Sequence, residues 1–105
     1  MNLSEIPSAF QSKVRLAIVA ALLTGPQSFK SLKSLTEATD GNLGRQLEIL
    51  EEEHIISVEK NLTGRRVNSS YSLTPEGRRL FSEYIRLLQD LMDAAGAAPD
   101  GAMGA

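Results

Sequence analysis

Two short leucine-spaced stretches, separated by very few residues, constrain this chain more than anything else in it. Lys30 to about Ala38 sets Leu32 and Leu35 on the inward side of one helix. About Asp40 to Glu53 sets Leu43, Leu47 and Leu50 on one face of another, with Thr39 as its hydroxyl N-cap. Helices joined by so little chain must meet at a sharp angle.

The flanking segments complete a plan. Val14, Ala17, Ile18, Ala21 and Leu22 repeat at the three-then-four spacing of a helix face, and Leu16, Val19 and Leu23 widen it, so this helix is expected to be covered on most sides. Thr24-Gly25-Pro26 ends it. The nearly apolar run Val14 to Leu23 is broken by Arg15 and is too short to span a bilayer, so no membrane association is expected. Downstream, Ile55 to Lys60 and Val67 to Leu73 are rich in β-branched and aromatic residues, and Asn61 to Arg66 carries turn chemistry, which predicts a β-hairpin with a basic tip. Thr74-Pro75-Glu76 is a helix start, and that last helix runs to about Asp93. The order helix, helix, helix, hairpin, helix is that of a winged helix-turn-helix, an α+β fold that is mainly α. One domain is expected over residues 1–93, and the small residues of 94–105 read as a disordered tail.

At 105 residues the chain suffices for one core and not for two domains. Without cysteine there are no disulfides, thiolate metal sites or thiol nucleophiles. His54 is the only histidine and has no second imidazole to share a metal with. Glu51, Glu52 and Glu53 are consecutive on a helix and diverge, so they do not form an acid–base pair. Gly41-Asn42-Leu43-Gly44 is not a phosphate loop, because no Lys-Ser/Thr pair follows. The expectation is a binding protein rather than an enzyme, with no cofactor and no metal. The N-terminus lacks the pattern of a secretory signal, and the reading is a cytoplasmic, nucleoid-associated protein. A formal net charge of −2 argues on its face against nucleic acid. Its distribution is uneven: Glu48, Glu51, Glu52, Glu53 and Glu59 cluster, and Lys60, Arg65, Arg66, Arg78 and Arg79 follow, opposed there by Glu76.

The run from Asp40 to Ile56 (DGNLGRQLEILEEEHII), followed by Leu73 to Phe81 (LTPEGRRLF), resembles the small winged-helix regulators related to the MarR and ArsR groups. The resemblance spans about Ser12 to Met92, with Asp40, Gly41, Asn42, Leu43, Leu47, Leu50 and Glu51 on the first motif. It implies a homodimer on palindromic double-stranded DNA, with the third helix in the major groove and the wing at the adjacent minor groove. His54 departs from the pattern, which has glycine there. That position ends a helix and often needs a positive φ, which histidine tolerates better than most residues.

With Leu43, Leu47 and Leu50 inward, the opposite face of the helix carries Gly41, Arg45, Glu48 and Glu52, flanked by Asn42, Gly44 and Ile49. Its N-terminal turns would reach base edges, which makes Thr39, Asp40, Gly41, Asn42, Gly44, Arg45 and Gln46 the candidate recognition residues. Arg45 suits guanine, whose O6 and N7 a guanidinium bonds together. Asn42 suits a base or a phosphate. Gly41 and Gly44 each cost about 1 kcal/mol of helix propensity in a helix interior, and a smooth surface for DNA is one reason to keep them. Equally, Gly41 eases the helix entry and Arg45 is a solvated charge. Glu48 and Glu52 limit any docking to the N-terminal half. Arg65 and Arg66 at the wing tip suit a narrow minor groove, with Lys60, Asn61 and Thr63 adding backbone contacts. Ser28, Lys30 and Lys33 surround a helix start that favours phosphate, although ordinary capping by Ser28 explains them almost as well.

The last helix has two apolar stripes: Leu80, Tyr84, Leu87 and Leu91, and, about 100° away, Phe81, Ile85, Leu88 and Met92. One serves the core. The other is expected to form a homodimer interface, assigned to Leu80, Tyr84, Leu87 and Leu91 and helped by Leu3 to Phe10, although the latter segment folding back within one chain is the alternative. The function expected is a sequence-specific DNA-binding transcriptional regulator, a repressor. A winged-helix protein-interaction module and a binder of structured RNA are the competing readings. No sensor domain or polar cluster marks a small-molecule effector.

Overall fold

Four hydroxyl side chains start the four helices of the computed structural model, which describes residues 6–96. Ser12, Ser28, Thr39 and Thr74 each accept a hydrogen bond from the backbone amide three residues on. Such a cap is worth about 1 kcal/mol. The helices are α1 (Lys13–Leu22), α2 (Phe29–Thr36), α3 (Asp40–Glu52) and α4 (Pro75–Ala94). A 3-10 turn at Ser8–Phe10 precedes them. The expected tail falls mostly in residues 97–105, and part of the Leu3–Phe10 segment in residues 1–5, both outside the described residues.

The strands are β1 (Gln27–Ser28), β2 (Ile56–Thr63) and β3 (Arg66–Leu73), in the antiparallel order β1-β3-β2. The hairpin is longer than its composition suggests. Pairing continues to Thr63 opposite Arg66, so Asn61 and Leu62 belong to the ladder and the turn shrinks to Gly64 and Arg65. Gly64, at φ 66°, supplies the positive φ of a two-residue hairpin turn with glycine first. β1 was not apparent in the sequence, because two residues carry no alternation. It pairs Gln27 with Tyr71 and Ser28 with Ser70, tying the start of α2 to the wing.

The core gathers Ile18, Val19 and Leu22 of α1, Leu32 of α2, and Leu43, Leu47 and Leu50 of α3. Ile55 and Ile56, Phe81 of α4, and Ala9 and Phe10 of the N-terminal turn close it. Two expectations need correction. Leu35 is 59% exposed and not inward. The inner arc of α2 is centred on Phe29, Leu32 and Thr36, and Leu35 points about 90° away from it. Leu23, expected to widen the face of α1, is exposed at the helix end.

The proximal part of α4 packs on this core through both stripes. Phe81 is buried, and Leu80 and Tyr84 are half-buried against it. Phe10 lies over them, its ring 5.6 Å from Phe81 and 5.1 Å from Tyr84. Beyond Tyr84 the helix leaves the core: Ile85, Leu88 and Met92 are exposed, Met92 at 59%. No helix among the described residues is long and apolar enough to cross a membrane.

Candidate nucleic-acid interface

The recognition candidates occupy the N-cap and about the first two turns of α3. Thr39, Asp40, Gly41, Asn42 and Arg45 are exposed, whereas Gly44 and Gln46 are half-buried. A Cβ added at Gly41 or Gly44 would meet nothing within 4 Å. No neighbour among the described residues therefore requires either glycine. Arg45 makes no ion pair among the described residues. Glu48 and Glu52 are exposed further along the helix.

Several candidates are partly engaged already. Thr39 spends its hydroxyl on the Asn42 amide and Ser28 spends its own on Ser31, both as N-caps. Lys33 Nζ lies 2.7 Å from Asp40 Oδ1, joining α2 to α3 across the turn. Both side chains are well exposed, so the pair is worth at most about 1 kcal/mol. Its consequence is electrostatic: one cation of the candidate set is neutralised by one anion of the same set. Thr63 Oγ1 accepts from Asn68 Nδ2 across the hairpin at 3.2 Å.

Pairing with β3 gathers another subset. Ser28 lies opposite Ser70 and Lys60 opposite Ser69, so residues thirty-odd positions apart meet over adjacent β3 residues. Ser28, Lys30 and Lys60 line one open concavity with Phe29, Val67 and Asn68. Arg65 and Arg66 are exposed at the tip, without an ion pair among the described residues. Arg79, by contrast, is not free: it grips Glu76 through two hydrogen bonds of 3.2 and 2.7 Å and also pairs with Glu83. The Glu76 hydrogen bond and charge, then Glu83, hold its guanidinium above its usual range.

Arg15 is a residue the sequence reading passed over. It appeared only as the interruption in an apolar run, yet its guanidinium joins three segments. Nε donates to Ala9 O at 3.3 Å, Nη2 to Ser8 O at 3.0 Å and Nη1 to Gln46 Oε1 at 2.6 Å. Gln46 Nε2 in turn donates to Asn42 Oδ1 at 3.0 Å. A lone arginine in an apolar helix was the available signal.

The end of α3 explains both motifs of the resemblance. His54 takes φ 61°, and the chain closes with His54 N donating to Glu51 O at 3.0 Å and Ile55 N to Leu50 O at 2.9 Å. That is a Schellman cap, whose left-handed position normally holds glycine. Thr74 Oγ1 then donates to His54 O at 2.6 Å and accepts from Gly77 N at 2.8 Å. A side chain at Gly77 would overlap the Ile55 carbonyl, so the glycine is needed for close approach.

The predicted interface residues Leu80, Tyr84 and Leu87 lie along Ile6 and Pro7, lining a small cleft with Glu83. Leu91 is half-buried further out. Among the described residues, no three His, Cys, Asp or Glu side chains are grouped to hold a metal.

Comparison with known proteins agrees with this architecture. The chain is similar to an uncharacterized protein of Methanocaldococcus jannaschii, 38% identical over 78 residues that cover 72% of this chain and 84% of that one. Its fold is similar to a protein of Enterococcus faecalis assigned to the MarR family of transcriptional regulators, with 23% identity, TM-score 0.73 and coverage of 86% and 82%. It is also similar to Bacillus subtilis PadR, solved in complex with operator DNA, with 20% identity, TM-score 0.59 and coverage of 66% of this chain and 44% of that one. Residues 14–92 match the winged helix DNA-binding domain family, and the chain is a member of that family with the fold of MarR-like regulators.

Proposed function

We propose that this protein is a sequence-specific transcriptional regulator that binds duplex DNA as a homodimer and represses by occupying a promoter. The observation that carries the reading is the open N-terminal half of α3. There, among the described residues, Arg45 has no ion-pair partner and Gly41 and Gly44 have no neighbour that requires them. In this role Arg45 reads a guanine, Thr39 caps the helix, the Lys33 ammonium offsets the Asp40 carboxylate, and Gly41 and Gly44 leave the helix start free to approach the duplex closely. Arg65 and Arg66 bind the minor groove or its phosphates, while Lys30, Lys60 and the β1–α2 junction at Ser28 hold the backbone. The operator complex of the similar PadR fold supports the choice of ligand. Ile85, Leu88 and Met92 leave between a third and three-fifths of their surface open, which supports a second copy along distal α4, with Leu87 and Leu91 beside them.

Duplex binding at two salt concentrations tests the reading. Affinity should fall steeply as salt rises, because bound phosphates release counterions. Substituting Arg65→Ala and Arg66→Ala together should weaken binding to all sequences and flatten that salt slope by roughly two charges, with the melting temperature unchanged. Arg45→Ala should instead relax preference at one base pair. Glu48 and Glu52, exposed on the same helix, favour the competing reading of a protein-interaction module. Duplex affinity insensitive to both substitutions, with a partner protein co-purifying instead, would decide for that reading.

A further inference from the structure

The hydrogen bonds between Arg15, Gln46 and Asn42 form a chain with a direction. A guanidinium has only donors, so the Gln46 atom that faces Arg15 must be its amide oxygen. The Gln46 nitrogen is then the end that faces Asn42, and the Asn42 atom receiving it must also be oxygen. Each amide in the chain has its polarity set by the one before it. The distances, 2.6 and 3.0 Å, suit both links. The start of the chain is itself anchored, because Arg15 also donates to the carbonyls of Ser8 and Ala9.

We propose that Arg15, acting through Gln46, positions the Asn42 amide so that its nitrogen faces away from the protein, making Asn42 a donor that selects an acceptor on a base edge. Arg15 and Gln46 are positioning residues; only Asn42 touches the base. The inference rests on the DNA-binding reading above. Asn42 is exposed in the first turn of α3, the part of such a helix that reaches base edges. In the major groove, guanine offers O6 and N7, thymine O4 and adenine N7, whereas cytosine offers only its amino donor. An unanchored asparagine turns either end outward and accepts any of these partners. An anchored one, with nitrogen outward, discriminates against cytosine. The anchoring also lowers the entropy lost on binding, since Asn42 and Gln46 are held before DNA arrives.

Gln46→Glu tests the direction of the chain. A carboxylate still accepts from Arg15, so the link to α1 is kept. Toward Asn42 it has only acceptors, so the Asn42 amide must turn round and send its oxygen outward. Binding selection from a randomised duplex library, with wild type and variant side by side, reads the result. Wild type should disfavour cytosine at one position of the site. Q46E should reverse the guanine-or-thymine over cytosine ratio there by about tenfold or more, whatever its overall affinity. Asn42→Ala, which leaves the backbone cap to Thr39 intact, should flatten preference at that same position without reversing it. An unchanged preference in Q46E would overturn the proposal. A fall in affinity in N42A that is equal on every sequence would put Asn42 on a phosphate and overturn its base-reading role. A wild-type chain that binds no duplex at all would remove the parent reading together with this one, and that result precedes any variant.

Discussion

The α3–α4 junction and the wing tip stand at opposite extremes of internal constraint. At the junction the backbone groups of residues 50–55 are interlocked with Thr74 and Gly77, and Gly77 approaches too closely for any side chain. At the tip, Leu62 and Val67 pair across the hairpin yet remain 75% and 61% exposed, and Arg65 and Arg66 contact no anion among the described residues. The first region is determined by contacts within the chain. The second has side chains whose chemistry is unspent. The first half of α3 lies between these extremes: its inner leucines are buried, and its outer face is open apart from the Arg15 chain and the Lys33–Asp40 pair.

Substitutions that exchange the character of these regions sharpen the contrast. Gly77→Ala should have the largest effect, a loss of about 3 kcal/mol or more in a denaturant titration, because the new methyl group meets backbone that cannot move aside cheaply. A loss below about 1 kcal/mol would mean that the junction yields and is not the rigid frame described. His54→Gly should act the other way, stabilising by about 1 kcal/mol, since it removes an exposed side chain from a left-handed position where it makes no hydrogen bond or ion pair among the described residues. Thermal unfolding reads this, and a destabilised variant would show that the exposed imidazole has a partner. Gly41→Ala should have the smallest effect on the fold, a gain of a few tenths of a kcal/mol in stability, as nothing lies near its added methyl. The same variant should bind duplex more weakly if the helix surface meets DNA closely; equal affinity would return Gly41 to a role in helix entry alone.

The parts legible in the sequence are those with local causes. Leucine spacing, hydroxyl caps and turn chemistry located every helix and the hairpin to within a few residues, and they placed Leu43, Leu47 and Leu50 inward. The positive φ of His54 followed from its place at a helix end in the resembling motif. The exposure of Arg45, Arg65 and Arg66 followed from which face the leucines occupy and from the hairpin turn. Leu35 was misread because an eight-residue helix offers two leucines and too few turns to say which direction is inward. β1 was missed because its two residues become a strand only when Tyr71 and Ser70 arrive. The division of α4 runs across the helix and not along it, because what covers its stripes is decided by where Phe10 and the core end.

By itself the sequence determined the order of the four helices and the hairpin, and their ends to within a few residues, and hence the winged-helix plan, because periodicity and capping act over three or four neighbouring residues. The tertiary structure alone decided that Arg15 meets Gln46, that Lys33 and Asp40 cancel, that Ser28 and Lys60 share a concavity, and why residue 77 is glycine. Each of these depends on the distance between groups brought together by folding, and that distance is a property of the packed core rather than of any local stretch of chain.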